Sequence, residues 1–243
     1  MSNSISKIPI SLSWSGGKDS AFALWKLQND SRYEVTRLHT TLGEQTRRVG
    51  MHGIHEDLIQ AQAEALGIPL DRIYYPASGD NVAYEKAINK YLDSLGELGV
   101  KHIAYGDIFL EDLRKYREEK LAERNFQAVF PLWKFNTQAL AHEFIAAGFK
   151  TKICAASAEL INENQVGIDF SEDFLESLPE LVDPCGENGE FHSFCYAGPV
   201  FARPLDIYLE KVLSQTYQIP LENGTIQQKK YWFADIRISN SGF

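Results

Sequence analysis

Through the first 150 residues, short apolar runs take turns with segments whose apolar positions recur every three or four residues. IPISLSW (8–14) is apolar and bounded by polar residues, which predicts a buried strand. From Asp19 to Gln28, Phe22, Ala23, Trp25 and Leu27 fit one buried face of a helix. YEVTRLHTT (33–41) alternates and is rich in β-branched residues, so it predicts a second strand. The polar loop LGEQTRRVGMHG (42–53) leads into a helix over 54–67 that stops at Gly67. The same alternation predicts strands at 72–76, 101–106 and 128–133 and helices at 81–99, 111–125 and 137–148.

Strands alternating with helices across short connections imply an α/β fold: a parallel sheet with helices on both faces. Ligands in such folds bind beyond the carboxyl ends of the strands. After FKTKICAAS (149–157) the alternation stops. SEDFLESL (171–178) reads as a short acidic helix and DPCGENGE (183–190) as a polar turn. FHSFCYAGPVF (191–201) and KKYWFADIRIS (229–239) read as strands. The expected division is a nucleotide-binding domain over 1–150 and a smaller α+β substrate domain over 151–243.

Composition narrows the function. A net charge of −9 disfavours a general nucleic-acid face, although a local basic pocket for an anion remains open. Cys154, Cys185 and Cys195 form no close pair, which argues against a disulfide framework and a CxxC site. No signal peptide or membrane span is visible, so an intracellular, reducing, cytoplasmic setting with free thiols is expected.

SWSGGKDSA (13–21) lies between the first strand and the first helix. Glycines there permit a tight turn and bare N–H groups, and the helix start and Lys18 add positive charge. This is a phosphate cradle, yet its spacing is neither GxxxxGK[ST] nor GxGxxG. Ser15-Gly16-Gly17-Lys18-Asp19-Ser20 instead resembles the SGGxDS PP-loop of the ATP pyrophosphatases, which have an adenine nucleotide alpha-hydrolase-like fold (the HUP class). The resemblance implies cleavage of ATP between its α- and β-phosphates, with Asp19 near the bridging Mg²⁺.

Two further segments carry chemistry. In YGDIFLEDLRKYREE (105–119), Asp107 lies at a strand's carboxyl end, and Glu111, Arg114, Arg117 and Glu118 share part of a helix surface. The reading favours Asp107 and Arg114 as site residues and a solvated face for Glu118. DPCGENGEFHSF (183–194) is too polar for a core segment; Glu187, Glu190 and His192 could position an amine nucleophile or take its proton. Cys185 reads as a small buried thiol. His52 approaches the ligand or faces solvent, and Arg47 and Arg48 meet an anion or water.

The three segments in this order resemble the diphthine–ammonia ligases and their ATP-binding relatives over roughly residues 8–205. That resemblance implies two steps: a carboxylate attacks the α-phosphorus of ATP, then ammonia displaces AMP and leaves an amide. It implies nucleotide contacts at Ser13, Ser15, Gly16, Gly17, Lys18, Asp19, Ser20, His39, Gly106 and Asp107. It implies catalytic roles for Lys18, Asp19, Asp107, Glu187, Glu190 and His192, and substrate contacts at Glu111, Arg114, Arg117, Glu187, Asn188 and Glu190. The implied ligands are ATP, Mg²⁺ on Asp19, ammonium, and an acid such as diphthine on elongation factor 2. RRVGMHGI (47–54) resembles the loop of bacterial relatives, which implies another acid or another nucleophile. An ATP-binding sensor without turnover is the reading of another class. Oligomeric state stays open, a homo-oligomer included.

Overall fold

The computed structural model describes residues 6–76, 81–220 and 225–239. Strand β1 (Ile8–Ser13) holds the centre of the first sheet because Ile10, Ser11 and Leu12 are sealed on both faces. It pairs in parallel with β2 (Tyr33–Gly43) on one side and β4 (His102–Ala104) on the other. β3 (Leu70–Tyr75) and β5 (Gln127–Val129) complete the order β3-β2-β1-β4-β5.

The helices are α1 (Lys18–Gln28), α2 (Glu56–Leu66), α3 (Asn81–Glu97), α4 (Glu111–Ala122) and α5 (Thr137–Ala146). Successive strand residues point to opposite faces, so Ala104 joins the core under α1, α2 and α5 while Ile103 joins that under α3 and α4. Gly67 ends α2 in the left-handed conformation that its lack of a Cβ permits. The chain runs outward from β1 to β3 and returns to β4, so the crevice opens where β1 and β4 end.

The second sheet is antiparallel, ordered β7-β6-β9-β8, with β6 (Lys150–Ser157), β7 (Phe191–Ala197), β8 (Ile207–Pro220) and β9 (Ile226–Ile238). Three features go beyond the sequence expectation. FKTKICAAS, after which the alternation stops, holds the inner strand β6, whose central residues are buried because both faces are covered. β8 has no clear period and is mostly exposed; pairing with β9 from Ile207↔Ile238 to Pro220↔Ile226 holds it. The acidic segment contracts to α6 (Glu172–Glu176), capped by the Ser171 hydroxyl.

One core spans both sheets. Phe22 meets Phe144 at 5.7 Å between ring centroids, Phe144 meets Phe170 at 5.9 Å, and Phe170 meets Phe191 at 6.2 Å. This aromatic chain carries β7 up to the start of α1. Among the described residues, no helix is long and apolar enough to cross a membrane.

Candidate active site

β1 ends at Ser13 and α1 begins at Lys18, with Gly17 as its N-cap. Gly16 has φ +82°, and a Cβ there would lie 2.6 Å from Ile59 Cδ1 and 2.8 Å from Gln62 Oε1. Only glycine gives this turn both its conformation and its room. The buried Gln62 amide accepts from Trp14 Nε1 at 2.8 Å and donates to Gly16 O at 2.9 Å and to Cys195 O at 2.5 Å. Cys195 N donates to Gly16 O at 2.8 Å. The loop is thus pinned to β7 as well as to its own sheet.

Lys18 is buried, and its ammonium donates to both Asp19 oxygens, at 2.7 and 2.8 Å, and to the Cys185 carbonyl. Burial alone would lower its pKa, but Asp19, with help from Cys185 and Glu187, holds it above the usual lysine value. The cation stays charged and ties the first motif to the third. Phe191 lies beneath it, 5.7 Å from the ammonium to the ring centroid.

The second motif closes in from β4. A Cβ on Gly106 would sit 2.9 Å from the Asp19 carbonyl carbon, so the loop after β4 touches the first turn of α1 backbone to backbone. Asp107 is pushed above the usual carboxylate range by burial, against the pull of Arg117. Arg117 Nε stands 3.2 Å from Asp107 Oδ2 without hydrogen-bond alignment, and that oxygen has no hydrogen-bond partner. Glu187 Oε1 accepts from Ile108 N at 2.8 Å. Burial, then Asp19, pushes its carboxyl up to about 7. His52 and His192 face each other at 4.6 Å between ring centroids. Burial lowers His52 to about 4 and His192 well below the usual range, so both imidazoles are neutral at pH 7.

These groups wall a cavity of about 290 Å³. A second cavity of about 350 Å³ shares Ser13, Ser15, His52 and Arg117 with it. The second is lined by His39, Tyr84, Ile88, Leu92 and Tyr105, an apolar and aromatic end beside a polar one. His39 is sealed against Ser11, 2.9 Å from its hydroxyl, and burial lowers its pKa to about 3. A third cavity, about 680 Å³, lies between the 43–53 loop and the β8–β9 hairpin and meets the second at Gly50.

The structure brings Ser13, Ser15, Lys18, Asp19, Ser20, Gly106, Asp107, Arg117, Glu187 and His192 to the first cavity; Gly16 and Gly17 shape the turn behind its wall. It does not bring Glu111, Arg114, Asn188 or Glu190 to any of the three cavities. Arg114 turns to the rings of Phe130 and Trp133, at 5.0 and 4.6 Å, and pairs with Glu118 at 2.7 Å. Arg117, one turn on, covers Tyr105 at 4.0 Å and points to the strand end. Glu111 is exposed and reaches Lys134 at 3.8 Å. Glu190 is buried and braces its own loop, accepting from Asp183 N, Asn188 N and Asn188 Nδ2. Arg47 pairs with Glu56, whereas Arg48 lines the third cavity and donates to Gly53 O at 2.5 Å. Cys185 is a buried thiol, its pKa raised by burial to about 12.

Sequence reasoning missed the Cys185 carbonyl, Gln62, Ser193 and the aromatic wall from α3. The Cys185 contact uses a backbone carbonyl, which has no sequence signal. Gln62, Tyr84, Ile88 and Leu92 read as ordinary helix positions. Ser193 is a small neutral residue in a motif whose signal is its charges.

Two family models match this chain. The diphthamide synthase N-terminal domain matches residues 9–125, and the diphthamide synthase C-terminal domain matches residues 136–237. The chain is similar to the diphthine–ammonia ligase of Danio rerio, 27% identical over 79% of this chain and 84% of that protein. It is similar to the enzyme of that name from Mus musculus, 27% identical over 79% of each chain. The Homo sapiens enzyme is 29% identical over 68% of this chain and 66% of its own length.

Proposed function

The chain belongs to the diphthamide synthase family, and from that premise we propose that it is an ATP-dependent, AMP-forming ligase that converts a carboxylate to an amide with ammonia. The observation that carries this reading is the meeting of three separated motifs at one cavity, with the Lys18 ammonium between Asp19 and the Cys185 carbonyl.

In this reading Ser13, Ser15, Ser20 and Lys18 hold the pyrophosphate end of ATP, and the His39–Tyr84–Tyr105 cavity takes adenosine. The α-phosphate then lies at the shared wall of Ser13, Ser15, His52 and Arg117. Asp19, with Asp107 beside it and one Asp107 oxygen that accepts no hydrogen bond, fits Mg²⁺, which takes one or two carboxylates and completes its shell with phosphate and water. That ion would neutralise phosphate charge. No group of three His, Cys, Asp or Glu among the described residues makes a cage of its own.

The acid enters from the β8–β9 side, past Gly50 and the Arg48 guanidinium, whose planar fork suits a carboxylate. Its oxygen attacks the α-phosphorus, pyrophosphate leaves, and an acyl-adenylate forms. Ammonium must lose a proton before it attacks the acyl carbon; Glu187, with a pKa near neutrality, accepts it. AMP departs with the electron pair of the broken acyl–oxygen bond. We assign residues 1–150 to the nucleotide and 151–243 to the acid, with Glu187 and His192 reaching back across that division.

Nucleotide product analysis with ATP, Mg²⁺ and ammonium tests this, with and without elongation factor 2 carrying diphthine. AMP and an amidated factor are expected if diphthine is the acid. AMP formed independently of the factor assigns another acid. ATP bound with no AMP under any acid favours the sensor reading. Lys18→Ala and Asp19→Ala are expected to abolish AMP formation in a folded chain; normal turnover in both would overturn the assignment of the loop.

A further inference from the structure

Ser193 lies on β7, in the second sheet, yet it lines the cavity that the loop after β1 encloses. It is 2% exposed. Its hydroxyl accepts from Lys18 N at 3.1 Å, and its carbonyl is 3.2 Å from His52 Nδ1. The first N–H groups of a helix have no partner inside the helix, and a phosphate bound there normally claims them. Here the Lys18 N–H is taken by a side chain from another sheet. A hydroxyl that accepts one hydrogen bond keeps its own proton to give. Among the described residues, the Ser193 hydroxyl donates to no acceptor.

We propose that Ser193 is a phosphate ligand: its Oγ–H donates to an oxygen of the pyrophosphate group while Lys18 N–H donates to Oγ. The chain of two hydrogen bonds passes the positive field of the α1 N-terminus to the anion through Ser193, and each bond polarises the other. The surroundings fix the hydroxyl for this. A Cβ on Gly17 would be 3.0 Å from Ser193 O, so the loop and β7 touch where an alanine would part them. Two residues along, Cys195 N and Gln62 Nε2 both donate to Gly16 O, which sets the register of β7 against the loop. The phosphate cradle is therefore built from both sheets. This inference rests on the nucleotide reading above.

Calorimetric titration of the full chain with pyrophosphate and with AMP, both in Mg²⁺, tests it on wild type, Ser193→Ala and Ser193→Thr. Ser193→Ala is expected to bind pyrophosphate about tenfold more weakly, the scale of one hydrogen bond to a charged group, with AMP affinity unchanged. Ser193→Thr, which keeps the hydroxyl, is expected to restore most of that loss. Ser193→Cys keeps the volume with a weak donor and replaces the alanine variant if that one fails to fold. Unchanged pyrophosphate affinity in the alanine or cysteine variant would overturn the proposal. So would an equal loss for AMP and pyrophosphate with a lowered melting temperature, the result of a helix cap alone. Wild-type protein that binds neither ligand would overturn the nucleotide reading itself.

Discussion

Glu187 is held by a bond that a neutral amide could also make. Its Oε1 accepts from Ile108 N, but its negative charge adds to those of Asp19 and Asp107 in a partly desolvated wall. Its folded pKa, about 7, exceeds the ordinary 4.5, so the folded chain keeps a proton that the unfolded chain releases. Stability from this group is fully present below pH 4.5 and is lost as pH rises to about 7. Glu187→Gln keeps the Ile108 bond and removes the charge. It is expected to raise the melting temperature by a few degrees at pH 8 and to leave it unchanged at pH 4. Melting curves at the two pH values check this; equal shifts at both would show that the charge is not the cause. If Glu187 takes the proton of ammonium, amide formation rises through an inflection near pH 7 that the glutamine variant lacks.

At the scale of elements, the site depends on how closely two loops approach. β4 has three residues, and its following loop touches the first turn of α1, Gly106 against Asp19. Gly106→Ala puts a carbon 2.9 Å from the Asp19 carbonyl carbon, which forces the loop after β4 away from the start of α1. ATP affinity is expected to fall about tenfold or more with circular dichroism unchanged, since a shift near 1 Å in a positioned site is costly. Native affinity in this variant would mean that the loops move freely. The strand–turn–helix unit around Ser13–Ser20 was legible because strand, glycines and helix start are local signals. The choice between Arg114 and Arg117 was not: both sit on α4, and only the aromatic surface of Phe130 and Trp133 draws one away. β8 was illegible because pairing rather than burial defines it. The second cavity was illegible because Tyr84, Ile88 and Leu92 carry the same pattern as any helix face turned toward a core.

Across the whole molecule, the two sheets share a core and wall one cavity. The aromatic chain from Phe22 to Phe191 makes the interior continuous, and Gln62, Cys195 N and Ser193 tie the phosphate loop to β7. A ligand that binds only this joined arrangement stabilises both sheets by mass action, about 2.7 kcal/mol at one hundred times its dissociation constant. Hydrogen exchange reads where that stabilisation goes, because amides that open only by global unfolding slow with the global free energy. The Lys18 and Cys195 amides lie on opposite sides of the joint. With ATP and Mg²⁺ both are expected to slow by a common factor, along with amides of β6 such as Ile153. One melting transition, rather than two, is expected to move upward with ligand. Slowing confined to α1 and the first sheet, with β6 and β7 exchanging as before, would mean that the sheets unfold separately. The third motif would then lend the nucleotide site a wall but no stability.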